Sequence, residues 1–182
     1  MNTKTFLLLT AVCFFLSAPF AIAQTSLEIL QTRVGVVLVK GSSQIGTVKG
    51  EGGEIHVSAI EYLDTTTGDR ARGIEFFITA KNGSYPQIDY DEIESLLRAI
   101  DRLTTLDGSI TELGQFEATY RTRGNMTVSL MKLPLEKDFT AAVDANTLRG
   151  GIVILNLNEL KELGRLVKAA KTKLDSLKAT AK

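Results

Sequence analysis

The sequence predicts an α+β fold in which a strand-rich antiparallel segment is closed by an amphipathic helix, and the plan occurs twice. The stretch 88–100 recurs as 155–167, with Glu92 matching Glu159. Each copy follows several short segments in which apolar and polar residues alternate, as they do in half-buried strands. The predicted organisation is (β-β-β-β-α) twice, in one domain over 24–182 with halves at about 27–107 and 112–178.

The first half begins with a β-branched run. Val34 to Val39 favours a strand, and the small residues at 41–43 favour a turn after it. Asn82-Gly83 is a strong hairpin-turn dipeptide. The other predicted strands are 44–49, 55–62, 73–80 and 85–88, with further turns or loops at 50–53 and 64–73.

The first helix follows directly. Asp89 is a good N-cap residue, and Glu92 three positions later completes a pattern typical of a capping box. Asp107-Gly108 ends the helix. Apolar residues at spacings of three and four give it one buried face: Ile93, Leu96, Leu97, Ile100 and Leu103.

The second half repeats the plan. A tight hairpin turn is predicted at Gly124-Asn125. Asn156 is the predicted N-cap of the second helix, and Glu159 follows three positions later. The predicted strands are 116–121, 126–130, 139–143 and 152–157. The second helix carries a narrow apolar seam of the coiled-coil type, which fits packing on the first helix, on its own sheet, or on a second copy. The seam residues are Leu160, Leu163, Val167, Ala170, Leu174 and Leu177.

The N-terminal residues have the pattern of a secretory signal peptide. Lys4 supplies a positive charge, 6–16 is an apolar run, and 21–23 is a small-residue cleavage site. The run is too short to span a membrane, which takes about 20 apolar residues. We therefore expect cleavage after Ala23, a secreted or periplasmic protein, and no transmembrane segment in the mature chain.

Composition restricts the chemistry of the mature chain. The single cysteine, Cys13, lies in the leader, which leaves no disulfide, thiolate ligand or cysteine nucleophile. The formal net charge of the whole chain is +0, and loss of Lys4 leaves the mature chain slightly acidic, unlike a strongly basic nucleic-acid binder. The second helix is rich in lysine and arginine, which indicates either a solvated face or a binding patch.

Residues for catalysis or metal binding do not cluster in the sequence. His56 is the only histidine, and its place in an alternating strand predicts an ordinary surface position. Helix capping accounts for Asp89, Asp91 and Glu92, which lack EF-hand spacing. We therefore predict no catalytic residue, no metal site and no cofactor.

A cationic and aromatic cluster is the one candidate ligand site. Three members lie near the end of the predicted strand 116–121, and two lie in the wide loop predicted at 64–73. In chain order the five are Arg70, Arg72, Tyr120, Arg121 and Arg123. If the halves are pseudo-symmetric, these residues converge on one sheet edge and form a modest site for an anion or a single strand. An ordinary polar hairpin end is the alternative interpretation.

Two strand-rich units, each closed by a helix at 88–100 or 155–167, resemble the Whirly and positive-cofactor group of single-stranded nucleic-acid-binding proteins. The resemblance concerns the order of elements over most of the mature chain. It implies a related topology and single-stranded nucleic acid as a ligand.

Three functional hypotheses follow. The first is an exported, non-enzymatic binding or structural protein that interacts with an unknown protein or envelope partner, with self-association through the helix seam. The second is a single-stranded nucleic-acid binder of Whirly-like topology. The third is a hydrolase, which would need His56 and a carboxylate in a deep pocket.

Overall fold

The computed structural model describes residues 24–80, 83–132, 138–145 and 151–179. These residues form two antiparallel four-stranded sheets and three α-helices, which confirms the α+β fold with its repeated order of four strands and a helix. The leader expected at 1–23 lies outside the described residues. In chain order the elements are α1 (Ser26–Gln31), β1 (Leu38–Gly50), β2 (Gly53–Asp64), β3 (Arg70–Ile78), β4 (Gln87–Asp89), a 3-10 turn (Tyr90–Glu92), α2 (Ile93–Thr104), β5 (Phe116–Arg121), β6 (Thr127–Lys132), β7 (Thr140–Asp144), β8 (Ile152–Leu155) and α3 (Leu157–Ala179).

Strand β1 differs most from the prediction. The turn predicted at 41–43 is wrong, because these residues lie inside β1, where Gly41 pairs with Glu61 of β2. The register shifts between Gln44 and Gly46, as at a β-bulge. The bulge and the small residues interrupt the apolar alternation, and the sequence pattern therefore resembles a turn.

Helix α1 lies before the predicted strand at 34–39 and was not predicted. Thr25 Oγ1 accepts a backbone N–H of the first turn at 3.1 Å, which caps the helix. Leu27 and Leu30 lie three positions apart and are both buried, so this short helix has one apolar face. The strand that follows starts at Leu38, later than predicted. The apolar face of α1 packs on the outer face of the first sheet, against Ile60, Tyr62 and Ala71.

The second sheet consists of β5 to β8 in sequence order, all antiparallel. The hairpin turn predicted at Gly124-Asn125 joins β5 to β6. Asn125 has a φ of 68°, a left-handed conformation that asparagine tolerates better than most residues do. The N–H of Asn125 donates to the carbonyl of Thr122 at 3.0 Å, which closes the turn.

The two sheets meet at the hairpin between β1 and β2. Glu51 and Ile154 of β8 exchange two backbone hydrogen bonds of 2.9 Å. The backbones approach so closely that a Cβ on Gly50 would lie 2.4 Å from the Ile154 carbonyl oxygen. Gly151 is equally confined, since a Cβ there would lie 2.3 Å from that of Ala80. Glycine is therefore required where the halves join.

Each long helix contacts the sheet of the other half. Helix α3 packs on β1, β2 and β3 as well as on β7 and β8, and α2 contacts β5 and β6. The two helices also contact each other, and a Cβ on Gly164 would lie 3.1 Å from Cγ2 of Ile100. Residues of both sheets and both long helices therefore share one contiguous hydrophobic core.

The apolar seam of α3 lies in this core. Five of its six residues are almost fully buried within the chain: Leu160, Leu163, Val167, Ala170 and Leu174. Of the interpretations left open by the sequence, packing inside the same chain accounts for them. A second copy could bind through these residues only if the core opened, so self-association would need another surface.

Candidate functional site

Most of the predicted ligand-site residues meet around the turn from Asp89 to Glu92. Asp89 is buried and accepts hydrogen bonds from the backbone N–H groups of Ser26 and, at 3.0 Å, Leu27. Glu92 is buried as well and accepts the backbone N–H of Arg123 at 2.8 Å. The capping box predicted for the first helix is therefore wrong, because neither carboxylate caps it and both bind distant segments.

Arg123 is held by this turn. Its guanidinium binds the carboxylate of Asp91, and its Nε lies 3.4 Å from Oε2 of Glu92. These carboxylates raise the pKa of Arg123, with the hydrogen bond to Asp91 as the main cause. Tyr120 lies half-buried beside them, and burial followed by the Glu92 charge raises the pKa of its hydroxyl.

Arg70 and Arg72 share a single carboxylate on the neighbouring strand. Nη1 of Arg70 lies 2.7 Å from Oε1 of Glu61, and Nε of Arg72 lies 2.5 Å from Oε2. The groups are direct neighbours because Glu61 pairs with Arg72 in the sheet. Both arginines line a shallow groove of about 520 Å³ with Asp89, Tyr90 and Asp91.

Arg121 is separate from the other four. Successive side chains of a strand point to opposite faces, so Arg121 and Tyr120 diverge on β5. Arg121 lies on the outer face of the second sheet, in a shallow groove of about 430 Å³ that also contains Glu117 and Asp144. The fold thus gathers Arg70, Arg72, Tyr120 and Arg123 near one turn, where carboxylates already bind the three cations.

An aromatic row crosses the outer face of the first sheet. It consists of His56 on β2, Phe77 on β3 and Tyr85 in the segment before β4. The rings of His56 and Phe77 stack with centroids 5.5 Å apart, and those of Phe77 and Tyr85 stack at 4.6 Å with an angle of 11° between their planes. His56 and Phe77 are direct cross-strand partners, which explains their stacking. Tyr85 ends the row with 62% of its surface exposed.

His56 has structural partners within the row. Its Nδ1 lies 2.9 Å from Oγ1 of Thr47 on β1, and its Nε2 lies 3.6 Å from Oε2 of Glu54. The ring is partly exposed on an open sheet face, as the alternation in its strand predicts. This arrangement orients the imidazole and fits a packing role.

Tyr85 also lines a cleft of about 410 Å³ between α1, the β4 edge of the first sheet and the second half of the chain. We call it the α1 cleft. Thr25, Glu28 and Gln31 come from the α1 segment, Tyr85 and Gln87 from the sheet edge, and Gly124 from the hairpin between β5 and β6. A Cβ on Gly124 would lie 2.7 Å from the Gln87 carbonyl oxygen, so the hairpin approaches this edge closely.

The amide side chains in the cleft are fixed by a chain of hydrogen bonds. Gln31 donates through Nε2 to Oε1 of Gln87 at 2.6 Å. Gln87 donates through its own Nε2 to Glu75 at 2.8 Å and to the Tyr62 hydroxyl at 3.3 Å. Glu75 in turn binds Lys40 at 2.6 Å. The wall of the cleft is therefore ordered before any ligand arrives.

Sequence reasoning missed the α1 cleft. Its residues come from segments that are far apart in the chain, and helix α1 was not predicted. The available signal was Tyr85-Pro86, which follows Ser84 after the hairpin turn predicted at Asn82-Gly83, and Asn82 lies outside the described residues. Nothing in the sequence indicated that α1 and the second hairpin would lie beside it.

Comparisons with known proteins do not identify the chain: no family model, curated protein or solved structure matches it. Within the described residues, no group of three or more His, Cys, Asp or Glu side chains is placed to hold a metal ion. None of the helices in the described part of the chain has both the length and the apolarity needed to cross a membrane.

Proposed function

We propose that the protein acts outside the cytoplasm as a binding protein, rather than as an enzyme, and that its ligand occupies the α1 cleft. The observation that carries the proposal is Tyr85, a large ring that is mostly exposed at the mouth of an ordered cleft. Phe77 supports one face of the ring, so its orientation is set before binding. Prearranged aromatic rings with a few fixed polar groups are typical of ligand sites.

The cationic and aromatic cluster predicted from the sequence is a less suitable ligand site than the α1 cleft. Arg70, Arg72 and Arg123 are bound to carboxylates of their own chain, so an anionic ligand would have to displace those partners. Tyr85 stacks on Phe77 and is 62% exposed, so a ligand on its other face would displace no ionic partner among the described residues. The α1 cleft is therefore better prepared for a ligand than the cluster predicted from the sequence.

A fragment screen by protein NMR tests the proposal. The purified protein is mixed with cationic, anionic, neutral-polar and aromatic fragments, and the backbone amide signals are followed. We expect at least one class to shift the signals of Thr25, Glu28, Gln31 and Gly124 together. If no class shifts them, or all hits map elsewhere, the cleft is not the site.

Two variants make the screen specific. Tyr85→Ala removes the exposed ring and should weaken binding by roughly 1 kcal/mol, the usual contribution of an aromatic contact. Leu113→Ala is the matched control, because Leu113 is also a large exposed residue but does not line the cleft. The control should bind as the parent does.

Export is tested separately by the mass of the protein recovered outside the cytoplasm of an expressing cell. Cleavage after Ala23 predicts a chain that starts at Gln24. A recovered protein that retains residues 1–23, or one found only in the cytoplasm, would contradict this part of the proposal.

Single-stranded nucleic acid is a second candidate ligand, favoured by one observation. The order of four strands and a helix, twice, is the order on which the resemblance to the Whirly group rests. The open outer face of the second sheet, which carries Arg121, is the surface such a ligand would use. Phosphate contacts would make binding strongly dependent on salt.

Fluorescence anisotropy with labelled single-stranded DNA and RNA distinguishes this candidate. If it is right, binding falls steeply with salt, and Arg121→Ala reduces the slope of log K against log salt by about one. Arg102→Ala, on the exposed side of α2, is the control and should leave the slope unchanged. Flat anisotropy at every salt concentration would exclude nucleic acid.

A further inference from the structure

We propose that the α1 cleft takes an organic cation, such as the ammonium or guanidinium group of a lysine or arginine side chain in a partner polypeptide. This inference rests on the proposed function, since it names the chemistry of the ligand for the same cleft. Three features of the cleft lead to it: its charge, its hydrogen-bonding groups and its aromatic wall.

The charge of the cleft is negative. Among the described residues that line it, Glu28 is the only ionisable carboxylate, and none is a lysine or an arginine. The two arginines closest in sequence are bound elsewhere. Arg33 lies 2.8 Å from Asp64 and 2.7 Å from Asp69, and Arg123 binds Asp91. A cation entering the cleft therefore meets attraction, whereas an anion meets repulsion from Glu28.

The hydrogen-bonding groups of the cleft are matched to a donor. The Nε2 group of Gln87 donates to Glu75 and Tyr62, and Gln31 donates to Gln87. The side-chain amide donors are thus largely committed to their own network. Among the described lining side chains, the Glu28 carboxylate and Oε1 of Gln31 are acceptors that no hydrogen bond of the chain occupies, and the hydroxyls of Thr25 and Tyr85 can accept as well as donate. Ammonium and guanidinium groups carry donors and no acceptor.

The aromatic wall adds an attraction of the same sign. Phe77 stacks on one face of Tyr85, and the ring remains 62% exposed. The face of an aromatic ring is electron-rich and attracts cations that lie within about 6 Å of its centre. The chain already has this contact elsewhere, with Lys171 Nζ 5.6 Å from the ring centroid of Tyr90. Tyr85 and Glu28 together thus form a site in which ring and carboxylate favour the same ligand charge.

Matched probes test the sign and source of the ligand charge. The purified protein is titrated with Nα-acetyl-arginine amide and with the citrulline analogue, which has the same shape without the charge, and cleft amide signals are followed by NMR. We expect the arginine probe to bind about tenfold more tightly. A blocked peptide with several arginines and lysines is titrated in parallel with tetramethylammonium, to tell a partner side chain from any small cation.

Variants assign the effect to the two groups. Glu28→Gln removes the charge and should weaken binding of the arginine probe by roughly two- to fivefold, as for an exposed ion pair. Tyr85→Leu removes the ring but keeps an apolar side chain, and should weaken it by about fivefold. Tyr85→Phe restores the ring and should recover most of the binding that Tyr85→Leu loses. Glu112→Gln removes an exposed acid outside the cleft and should bind as the parent does.

The outcomes separate this inference from the proposed function. Equal binding of the arginine and citrulline probes, or unchanged binding after both Glu28→Gln and Tyr85→Leu, would overturn the inference. Cleft signals that respond only to neutral or anionic fragments would overturn it too, while leaving the cleft as a ligand site. Cleft signals that respond to no fragment of any class would overturn both.

Discussion

At the residue scale, buried carboxylates fix the positions of irregular segments by hydrogen bonds. Asp64, Asp89 and Glu92 are among its buried polar side chains, and each is hydrogen-bonded to a segment outside its own secondary-structure element. A buried carboxylate is costly unless it is paired, so each one fixes the position of its partner. Asp89 fixes the start of α1, and Glu92 fixes the hairpin after β5.

The pair of Arg33 and Asp64 should make the stability depend on acid. The Arg33 guanidinium, helped by the Thr66 N–H, lowers the pKa of Asp64 below its ordinary value of 3.8. The folded chain then binds this proton less readily than the unfolded chain does. The stabilisation is therefore present above about pH 4 and is lost as the pH falls through the folded-state value.

Urea unfolding of the Arg33→Met variant between pH 2 and pH 7 measures this effect. We expect the variant to be less stable than the parent above pH 4, and the difference to shrink as the pH approaches 2. Arg102→Met removes an exposed arginine on α2 and should show no such trend. A difference that stays constant over the whole range would show that the ion pair is not its source.

Asp89 gives a second prediction at this scale. Asp89→Ala leaves the N–H groups of Ser26 and Leu27 without their acceptor, which should lower the free energy of unfolding by about 1–3 kcal/mol. Amide exchange at the start of α1 should rise before exchange in the sheets does. Asp101→Ala, an exposed carboxylate on α2, is the control and should change both quantities little.

At the scale of secondary-structure elements, the helices that begin in the two copies of the repeated stretch, α2 and α3, have different N-termini. At α3 the predicted capping box is confirmed. Asn156 Oδ1 accepts N–H groups of Asn158 at 2.9 Å and Glu159 at 3.0 Å, and Glu159 accepts the Asn156 N–H at 2.7 Å. At α2 a 3-10 turn leads into the helix, and no side chain caps it. Similar residues therefore serve local structure in one copy and long-range contacts in the other.

The capping box predicts a stability change that is specific to α3. Asn156→Ala should lower the free energy of unfolding by about 1 kcal/mol, the usual cost of losing an N-cap. Asn158→Ala, in the first turn and exposed, should stay within about 0.5 kcal/mol of the parent. Chemical denaturation measures both, and equal losses in the two variants would contradict the assignment of the cap.

At the scale of the whole molecule, each long helix contacts the sheet of the other half, and this joins the two halves into one core. Because α3 covers the first sheet and α2 contacts the second, neither half has its complete core without the other. The close approach of the β1–β2 hairpin to β8 adds a backbone connection between the sheets. We therefore propose that the two halves unfold together, as one domain.

The glycines at this junction test that proposal. Gly50→Ala places a Cβ against the Ile154 carbonyl and should cost about 1–3 kcal/mol, in the range of overpacking. Gly114→Ala is the control, because a Cβ there meets nothing within 4 Å. If the halves unfold together, Gly50→Ala shifts the unfolding midpoints of both sheets equally when each is followed by its own NMR signals. A shift confined to one sheet would show that the halves are independent.

The candidate sites also differ in how much of them the sequence could predict. Strand alternation was enough to place His56 on the outer face of β2. The predicted cluster included Arg121, but the structure places Arg121 and Tyr120 on opposite faces of β5. Strand alternation could not show that Glu61 neutralises Arg70 and Arg72, because that depends on the register between β2 and β3. The α1 cleft could not be predicted for a similar reason. It forms where segments far apart in the chain meet, and no local sequence pattern indicates that they do.

The sequence by itself determined the fold class, the two helices of the repeated stretch, the second capping box and the hairpin turn at Gly124-Asn125. These features depend on interactions between residues a few positions apart, which a pattern of polarity and turn residues encodes. Only the tertiary structure decided that 41–43 continues a strand, that Asp89 binds the first N–H groups of α1 and does not cap α2, and that Tyr85 lines a cleft. Each of those outcomes depends on a partner far away in the chain, and the free energy of that contact outweighs the local preference.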